Sequence, residues 1–250
     1  MHRIVRFRDL EPTWTTRRAR EQGFRRWLVT WVGGPGGHIN TNPAVAIPST
    51  QCAIGLMVLP PGQRQSGKHV HRVTEIYIVL EGTVEGFDGT GETHRAGPME
   101  CTYTPPGCPH GVRNSGAEDV VLVWVHDGIE RNDAAVYYED DHAFGDVPAM
   151  TLLRLPGPSG EWVDVARNER VAVGLLLLEP GEAIPPLSQP KTRFYLVIEG
   201  EMEVSGSGDR TLSRFDGLNV PAGEPAALRN SRVGRLRLLS VTSPAEHGQV

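Results

Sequence analysis

At 250 residues the chain can bury one large core or two small ones, and its formal charge of −5 comes from acids and bases interspersed without a basic block. Phosphate backbones need clustered Lys and Arg, so this composition argues against a nucleic-acid surface. No stretch approaches the roughly 20 apolar residues that span a bilayer, so no membrane role is expected. The opening Met1-His-Arg-Ile-Val-Arg-Phe-Arg8 lacks the apolar run of a secretory leader. The three cysteines, Cys52, Cys101 and Cys108, are odd in number and lack CxxC spacing, which argues against a disulfide framework. A reducing, cytoplasmic setting is the expectation.

In chain order, residues 1–50 carry Trp14, Trp27 and Trp31 and then the loop Gly33-Gly-Pro-Gly-Gly-His-Ile-Asn40. That loop lacks the GK[ST] ending and strand-to-helix setting of a phosphate cradle. The segment is expected to cover the edges of the β-structure that follows or to meet a partner subunit, with the tryptophans as packing anchors. From Ala53 on, short Val/Ile/Leu/Tyr-rich runs alternate with Gly and Pro clusters, the signature of strands and turns. Gly82-Thr-Val-Glu-Gly-Phe-Asp-Gly-Thr-Gly91 looks like a strand entering a Gly-rich hairpin. Residues 127–170 are expected to be a linker with entry strands, including a short helix at Asp133–Tyr138 and a solvated acidic cluster at Glu139-Asp-Asp-His142. The tail beyond Thr242 is polar and expected to fray.

The second half repeats the first. AIGLMVLPPG at Ala53–Gly62 recurs as AVGLLLLEPG at Ala172–Gly181, an offset of 119 (172 − 53). TEIYIVLEG at Thr74–Gly82 recurs as TRFYLVIEG at Thr192–Gly200, at 118 (200 − 82). PPGCPHGVRN at Pro105–Asn114 recurs as PAGEPAALRN at Pro221–Asn230, at 116 (230 − 114). Three segments in one order at a nearly constant offset establish a tandem duplication. Many evenly spaced short strands in each copy point to a barrel or jelly roll rather than a parallel sheet.

The chemistry concentrates in the first copy. His69 and His71 flank Val70 and face the same way on a strand. Glu75 lies just beyond, where a turn into the next strand brings its carboxylate back to the same side. His110, distant in sequence, completes the set. A lone strand histidine is more often core or surface than ligand, but two at i, i+2 with a Glu four residues on reverse those odds. Three imidazoles and one carboxylate suit one divalent ion per chain, Fe, Mn, Ni, Co or Zn, and ligand type alone does not choose among them; Fe is the expectation that goes with the dioxygenase reading below. In the second copy the four positions read Leu187, Gln189, Arg193 and Ala226, so no ligand survives and the acid has become a cation. Arg193 could instead hold an anionic ligand.

HxH-x3-E-x6-G at His69–Gly82 followed by PxG-x2-H-x3-N at Pro105–Asn114 resembles the paired motifs of the cupin superfamily, and the duplication makes the chain resemble a bicupin. The resemblance implies an all-β fold of tandem double-stranded β-helix barrels. Residues 1–50 would be an extension packing on the barrels, 51–126 a metal-binding barrel, 127–170 linker and entry strands, and 171–243 a degenerate barrel. It also implies that His69, His71, Glu75 and His110 bind the metal at the barrel centre. Two departures concern turns: one extra residue stands between Gly62 and His69, and Met99 replaces the glycine that usually opens the second motif, with Gly97 displaced. Loss of the second site argues against chemistry of the oxalate decarboxylase kind, in which the family uses metal in both barrels.

Around the ligands, Tyr77 shares the period of Glu75 and offers a phenol, although its repeat partner Tyr195 also suits a packing role. Tyr103 and Cys108 have no like partner in the repeat; Tyr103 joins Glu75 and Tyr77 as a catalytic candidate, and Cys108 reads better as a small apolar filler. Gln63, Arg64 and Gln65 precede the ligand strand and are placed at the mouth. His2, His38, His94, His126, His142 and His247 match no motif and read as bystanders. Three functions remain open: an Fe(II)-type dioxygenase for a small hydroxylated or aromatic substrate, a non-redox lyase, isomerase, cyclase or hydrolase using the metal as a Lewis acid, and a non-catalytic binding cupin. The expected partners are a small-molecule substrate and further copies of the chain, as a homodimer or higher homo-oligomer.

Overall fold

The computed structural model describes residues 1–14, 20–34, 40–130, 135–139, 141–154, 163–205 and 210–245, and nearly all of their regular structure is strand. Two compact units emerge, one of residues 11–155 and the other of residues 1–10 with 156–250. Each is a pair of sheets, antiparallel throughout the described pairings except where Ile47–Pro48 runs parallel to Trp27–Gly33. Among the described residues no helix is long and apolar enough to cross a membrane.

In the first unit the larger sheet runs in the order Thr151–Arg154, Glu100–Thr104, Glu75–Glu81, Val120–His126, Ala53–Leu59, Trp27–Gly33 and Thr13–Trp14. The facing sheet runs Val136–Tyr138, Lys68–Val70, His110–Arg113, Val84–Asp88 and Thr93–Ala96. Alternation along the strands puts Met57, Leu59, Tyr77, Val79, Val120, Leu122 and Trp124 between the sheets, with Val84, Ala96 and Val112 opposite. The other face of the larger sheet is also apolar and buried (Ile54, Leu56, Ile76, Ile78, Val123, Val125), which is why these strands read as continuous rather than alternating apolar runs. Gly55 admits the Trp124 indole: a Cβ there would stand 2.2 Å from its Cζ2 atom.

The second unit repeats this plan. Its larger sheet is ordered Arg3–Val5, Gly217–Val220, Thr192–Glu199, Leu236–Ser243, Ala172–Leu178 and Val163–Arg167, and faces a sheet of Ala183–Ser188, Pro225–Arg229, Met202–Ser205 and Arg210–Leu212. The repeats match down to single bonds. Asn114 donates from Nδ2 to the carbonyls of Leu59 (2.8 Å) and Glu118 (2.7 Å), and Asn230 does the same to Leu178 (2.9 Å) and Gly234 (2.8 Å). Met99 and its repeat partner Phe215 both hold left-handed backbone, at φ 66° and 67°. The turn at which Met99 replaces a glycine therefore keeps a glycine-like conformation.

Two expectations about the segments outside the repeats change. Residues 1–50 do not form one extension: Arg3–Val5 adds a strand to the second unit, while Thr13–Trp14, Trp27–Gly33 and Ile47–Pro48 extend the large sheet of the first. The short helix expected at Asp133–Tyr138 is, at Val136–Tyr138, a strand paired with Lys68–Val70; Asp133 lies outside the described residues. Val-Tyr-Tyr is β-prone, and the ligand strand offers it an edge to pair with. The bystanders His38 and His247 also lie outside the described residues.

Candidate metal centre

The antiparallel register sets His69 directly across from His110, and their ring centroids lie 4.2 Å apart. His71 follows the end of the same strand, 5.4 Å from the His69 ring. Glu75 opens a strand of the facing sheet, so the carboxylate meets the imidazoles between the two walls. The four donor atoms lie within 4.8 Å of one another, and all four residues are buried.

Hydrogen bonds fix which nitrogens face inward. Nδ1 of His71 donates to the Val73 carbonyl and Nδ1 of His110 to the Cys108 carbonyl, both at 2.9 Å. Each leaves a lone pair on Nε2. Those Nε2 atoms nevertheless point at one anionic oxygen, Oε2 of Glu75, at 3.4 Å from His71 and 2.6 Å from His110, with His69 Nε2 at 3.8 Å. Lone pairs converging on a carboxylate repel unless a cation or extra protons lie among them. The donor set thus fits a divalent ion.

Protons between those nitrogens and the carboxylate act on Glu75 as a cation would: burial by itself raises its carboxyl, but the pull of His126 and hydrogen bonds donated by His110, His126 and His71 hold it well below the usual carboxylate range. Burial and then His110 push His69 well below the ordinary histidine value, which favours the neutral, metal-binding form. Burial also lowers His71, yet Glu75 outweighs it and the net direction is upward.

His126 is not a bystander. Its Nε2 lies 2.8 Å from Oε1 of Glu75, and the side chain is buried. It occupies the carboxylate oxygen that does not face the three imidazoles. Its parity with Val120, Leu122 and Trp124, all on the core face, was the available signal, and it sits directly across from Glu75 in the strand pairing.

Tyr77 enters the site, and its hydroxyl accepts a hydrogen bond from Gln65 Nε2 at 2.8 Å. Burial, then the nearby Glu75 charge, push its phenol well above its ordinary value, so it stays protonated. Tyr103 does not reach the site. It pairs with Ile76, one residue out of phase with Thr104–Glu75 and Thr102–Tyr77, and therefore lies on the opposite face of the sheet. Of the three residues placed at the mouth only Gln65 lines the site; Gln63 accepts the Arg25 amide at 2.5 Å, and the Arg64 guanidinium lies over the Phe24 and Phe87 rings, 5.4 and 5.5 Å from their centroids. Cys108 is buried, with its thiol pushed up to about 12 by burial and by Asp88, as suits a filler whose carbonyl orients His110.

Beside the ligands lies a cavity of ≈ 30 Å³, walled also by Arg26, Gln65, Tyr77, Trp124, His126 and Tyr137. In the second unit the equivalent register pairs Leu187 with Ala226, and Arg193 donates to Thr242 Oγ1 at 3.1 Å where the first unit has Glu75 and His126. Among the described residues the first unit holds the one group able to bind a metal.

The family described as the cupin domain matches residues 55–126. A curated relative, the beta-D-galactosidase Rv1717 of Mycobacterium tuberculosis, is 32% identical over 94 residues, which are 37% of this chain and 76% of the relative. The chain belongs to the cupins. Its duplication makes it a bicupin with its metal-binding group in the first barrel. Among solved structures this bicupin is similar to the pirin YhhW of Escherichia coli in complex with nickel(II), with 15% identity, TM-score 0.72, and 98% and 100% of the two chains covered. It is also similar to oxalate decarboxylase of Bacillus subtilis, with 17% identity, TM-score 0.66, and 98% and 77% covered. At these identities the likeness concerns the fold.

Proposed function

We propose that this cupin is a mononuclear metal enzyme of the Fe(II)-type dioxygenase class, acting on a small hydroxylated substrate. The observation that carries the reading is one buried group of three imidazoles and a carboxylate, of which His69, His71 and Glu75 line a small adjoining cavity. An iron ion bound there would supply Lewis acidity and one-electron chemistry with dioxygen. His71 and His110 present Nε2 inward because backbone carbonyls hold Nδ1. Glu75 would offset part of the charge of an ion held there. Tyr77 keeps its proton and can donate it in a hydrogen bond to a ligand. Of the two substrate classes expected from the sequence, the cavity favours the hydroxylated one. A single water needs about 10–15 Å³ by the same measure, so an aromatic ring would have to displace a wall such as Tyr137.

The second reading, non-redox Lewis-acid chemistry, draws support from the galactosidase relative. Glycoside hydrolysis usually needs two carboxyl groups flanking the bond, and here Glu75 is the single acid among the residues that line the cavity. A lyase or isomerase meets no such objection. The test loads the protein with Fe, Mn, Ni or Zn, measures metal per chain, and screens small hydroxylated compounds with and without oxygen. About one ion per chain and oxygen uptake in step with substrate loss in the Fe form are expected. Equal turnover under strict anaerobiosis with Zn refutes the dioxygenase reading and establishes the Lewis-acid one.

A further inference from the structure

The cavity beside the metal ligands contains a cation that nothing in the ligand set explains. Arg26 is 7% exposed, and its guanidinium is permanently charged. Its one hydrogen bond runs from an Nη atom to the Met57 sulfur at 3.4 Å, and its Nε is buried with no partner. No carboxylate among the described residues pairs with it. A buried charge without a counter-ion is costly, and proteins retain such groups where a ligand completes them.

A second orphan donor shares the cavity. The indole nitrogen of Trp124 is also buried without a hydrogen-bond partner. Arg26 stands just before the strand Trp27–Gly33, and Trp124 lies on the strand beyond Ala53–Leu59, with Gly55 between them giving the indole its place. The electrical balance points the same way. Among the residues that line the cavity, a divalent ion (+2), Arg26 (+1) and Glu75 (−1) would leave a net charge of +2, offset only in part by the buried Glu130, whose charge reaches His71 from outside the lining. The field of Arg26 also reaches the site: it contributes a downward pull on the ligand His69 and on the Tyr77 phenol.

We infer that Arg26, with the indole N–H of Trp124, receives a carboxylate, so that the substrate of the metal site is a small carboxylic acid bound as its anion. The fork of the guanidinium matches the two oxygens of a carboxylate. The cavity of ≈ 30 Å³ has room for little more than that group without movement of the walls. This assignment rests on the metal-enzyme reading for what stands opposite the carboxylate, but not for the carboxylate itself.

The experiment uses glycolate, its uncharged isostere glycolamide, and inorganic phosphate as probes in calorimetric titrations of nickel-loaded and metal-free protein. Wild-type protein should prefer glycolate, and Arg26→Met should weaken glycolate binding on the order of thirtyfold or more, as loss of one partner of a buried charge pair does. Arg26→Lys, which keeps the charge without the fork, should recover part of it. Elemental analysis should find unchanged metal in Arg26→Met, and its melting temperature should be no lower than that of wild type, since an unpaired buried charge has gone. Equal affinity for glycolate and glycolamide, a preference for phosphate, or wild-type glycolate binding in Arg26→Met overturns the inference. So does a melting point several degrees lower in Arg26→Met with binding intact, the mark of a structural arginine. Should the wild type hold no metal, the metal-enzyme reading fails separately. The carboxylate assignment is then decided on metal-free protein, by whether glycolate raises the melting temperature of wild type and not of Arg26→Met.

Discussion

Replacing His126 by Phe keeps a ring of similar volume on the core face and removes the N–H that reaches Glu75. In the native site Oε1 of Glu75 has one side-chain partner, His126 at 2.8 Å, while Oε2 faces the imidazoles. Leaving a buried carboxylate oxygen without its charge-assisted hydrogen bond costs about 1.5–3 kcal/mol. Independently, loss of a group that orients a metal ligand weakens metal binding roughly 10–100-fold, or about 1.4–2.7 kcal/mol. The two estimates coincide, which is expected if the single role of His126 is to present Glu75 through one oxygen. Chelator competition with Ni(II) or Zn(II) measures the affinity directly. His126→Phe should fall in the 10–100-fold range, and His126→Gln, which keeps a donor of similar reach, should recover most of the loss. An affinity within twofold of wild type in His126→Phe refutes the orienting role. A loss as complete as that of His110→Ala would make His126 a ligand in its own right.

Acidification should release the metal: protons compete for the three imidazoles below a reference value of about 6.5, so chelator-accessible metal should rise from pH 8 to pH 5, and retention that improves in acid contradicts the site. His69 adds a matching term in the metal-free protein. Its folded value is depressed, so its stabilisation is present above about pH 6.5 and is lost as pH falls toward the folded value; denaturant titrations of wild type and His69→Phe across that window should diverge. Met99→Gly should raise stability by about 1 kcal/mol, since left-handed backbone at φ 66° penalises a residue with a Cβ; a lowered denaturation midpoint counts against it. Cys101 and Cys108, both buried with thiols pushed up to about 12, should resist a thiol reagent at pH 8 in the native protein. All three cysteines should react once guanidinium unfolds the chain, and fast native labelling of either named thiol would contradict their placement.

What the sequence discloses depends on how far apart in the chain the cooperating residues lie. His69, His71 and Glu75 fall within seven residues, and strand parity suffices to point the two histidines to one side. His110 is distant, yet its turn-rich surroundings mark it. His126 and Arg26 carry no such mark. His126 meets Glu75 across 51 residues, and Arg26 reaches the cavity through a strand outside the repeated region, so both depend on a sheet order that no local pattern reveals. Tyr103 fails for a narrower reason. A shift of one residue in strand register exchanges the two faces of a sheet, and lacking a like partner in the repeat says nothing about which face a side chain occupies. At 133–138 the local pattern admits a helix, and it is pairing with the ligand strand that makes Val136–Tyr138 extended.

The second barrel shows how separable the site is from the fold. His69 across from His110 becomes Leu187 across from Ala226, and Glu75 across from His126 becomes Arg193 across from Thr242, in the same registers. The paired bonds of Asn230 and the left-handed turn at Phe215 persist as in the first barrel. Those features close the strands onto each other and fill the space between the sheets, work that needs no metal. The ligands, by contrast, gather three imidazoles around a buried carboxylate, an arrangement that is unfavourable until a cation joins it. A copy freed from binding metal therefore gains by exchanging them. Apolar Leu187 and Ala226 remove two of the imidazoles, and Arg193, in the register position of Glu75, replaces the carboxylate with a cation that hydrogen-bonds Thr242. His126 meets the corresponding need in the first barrel: as long as Glu75 stays buried and ionised, its second oxygen needs a donor, and the strand across from it is the element placed to supply one.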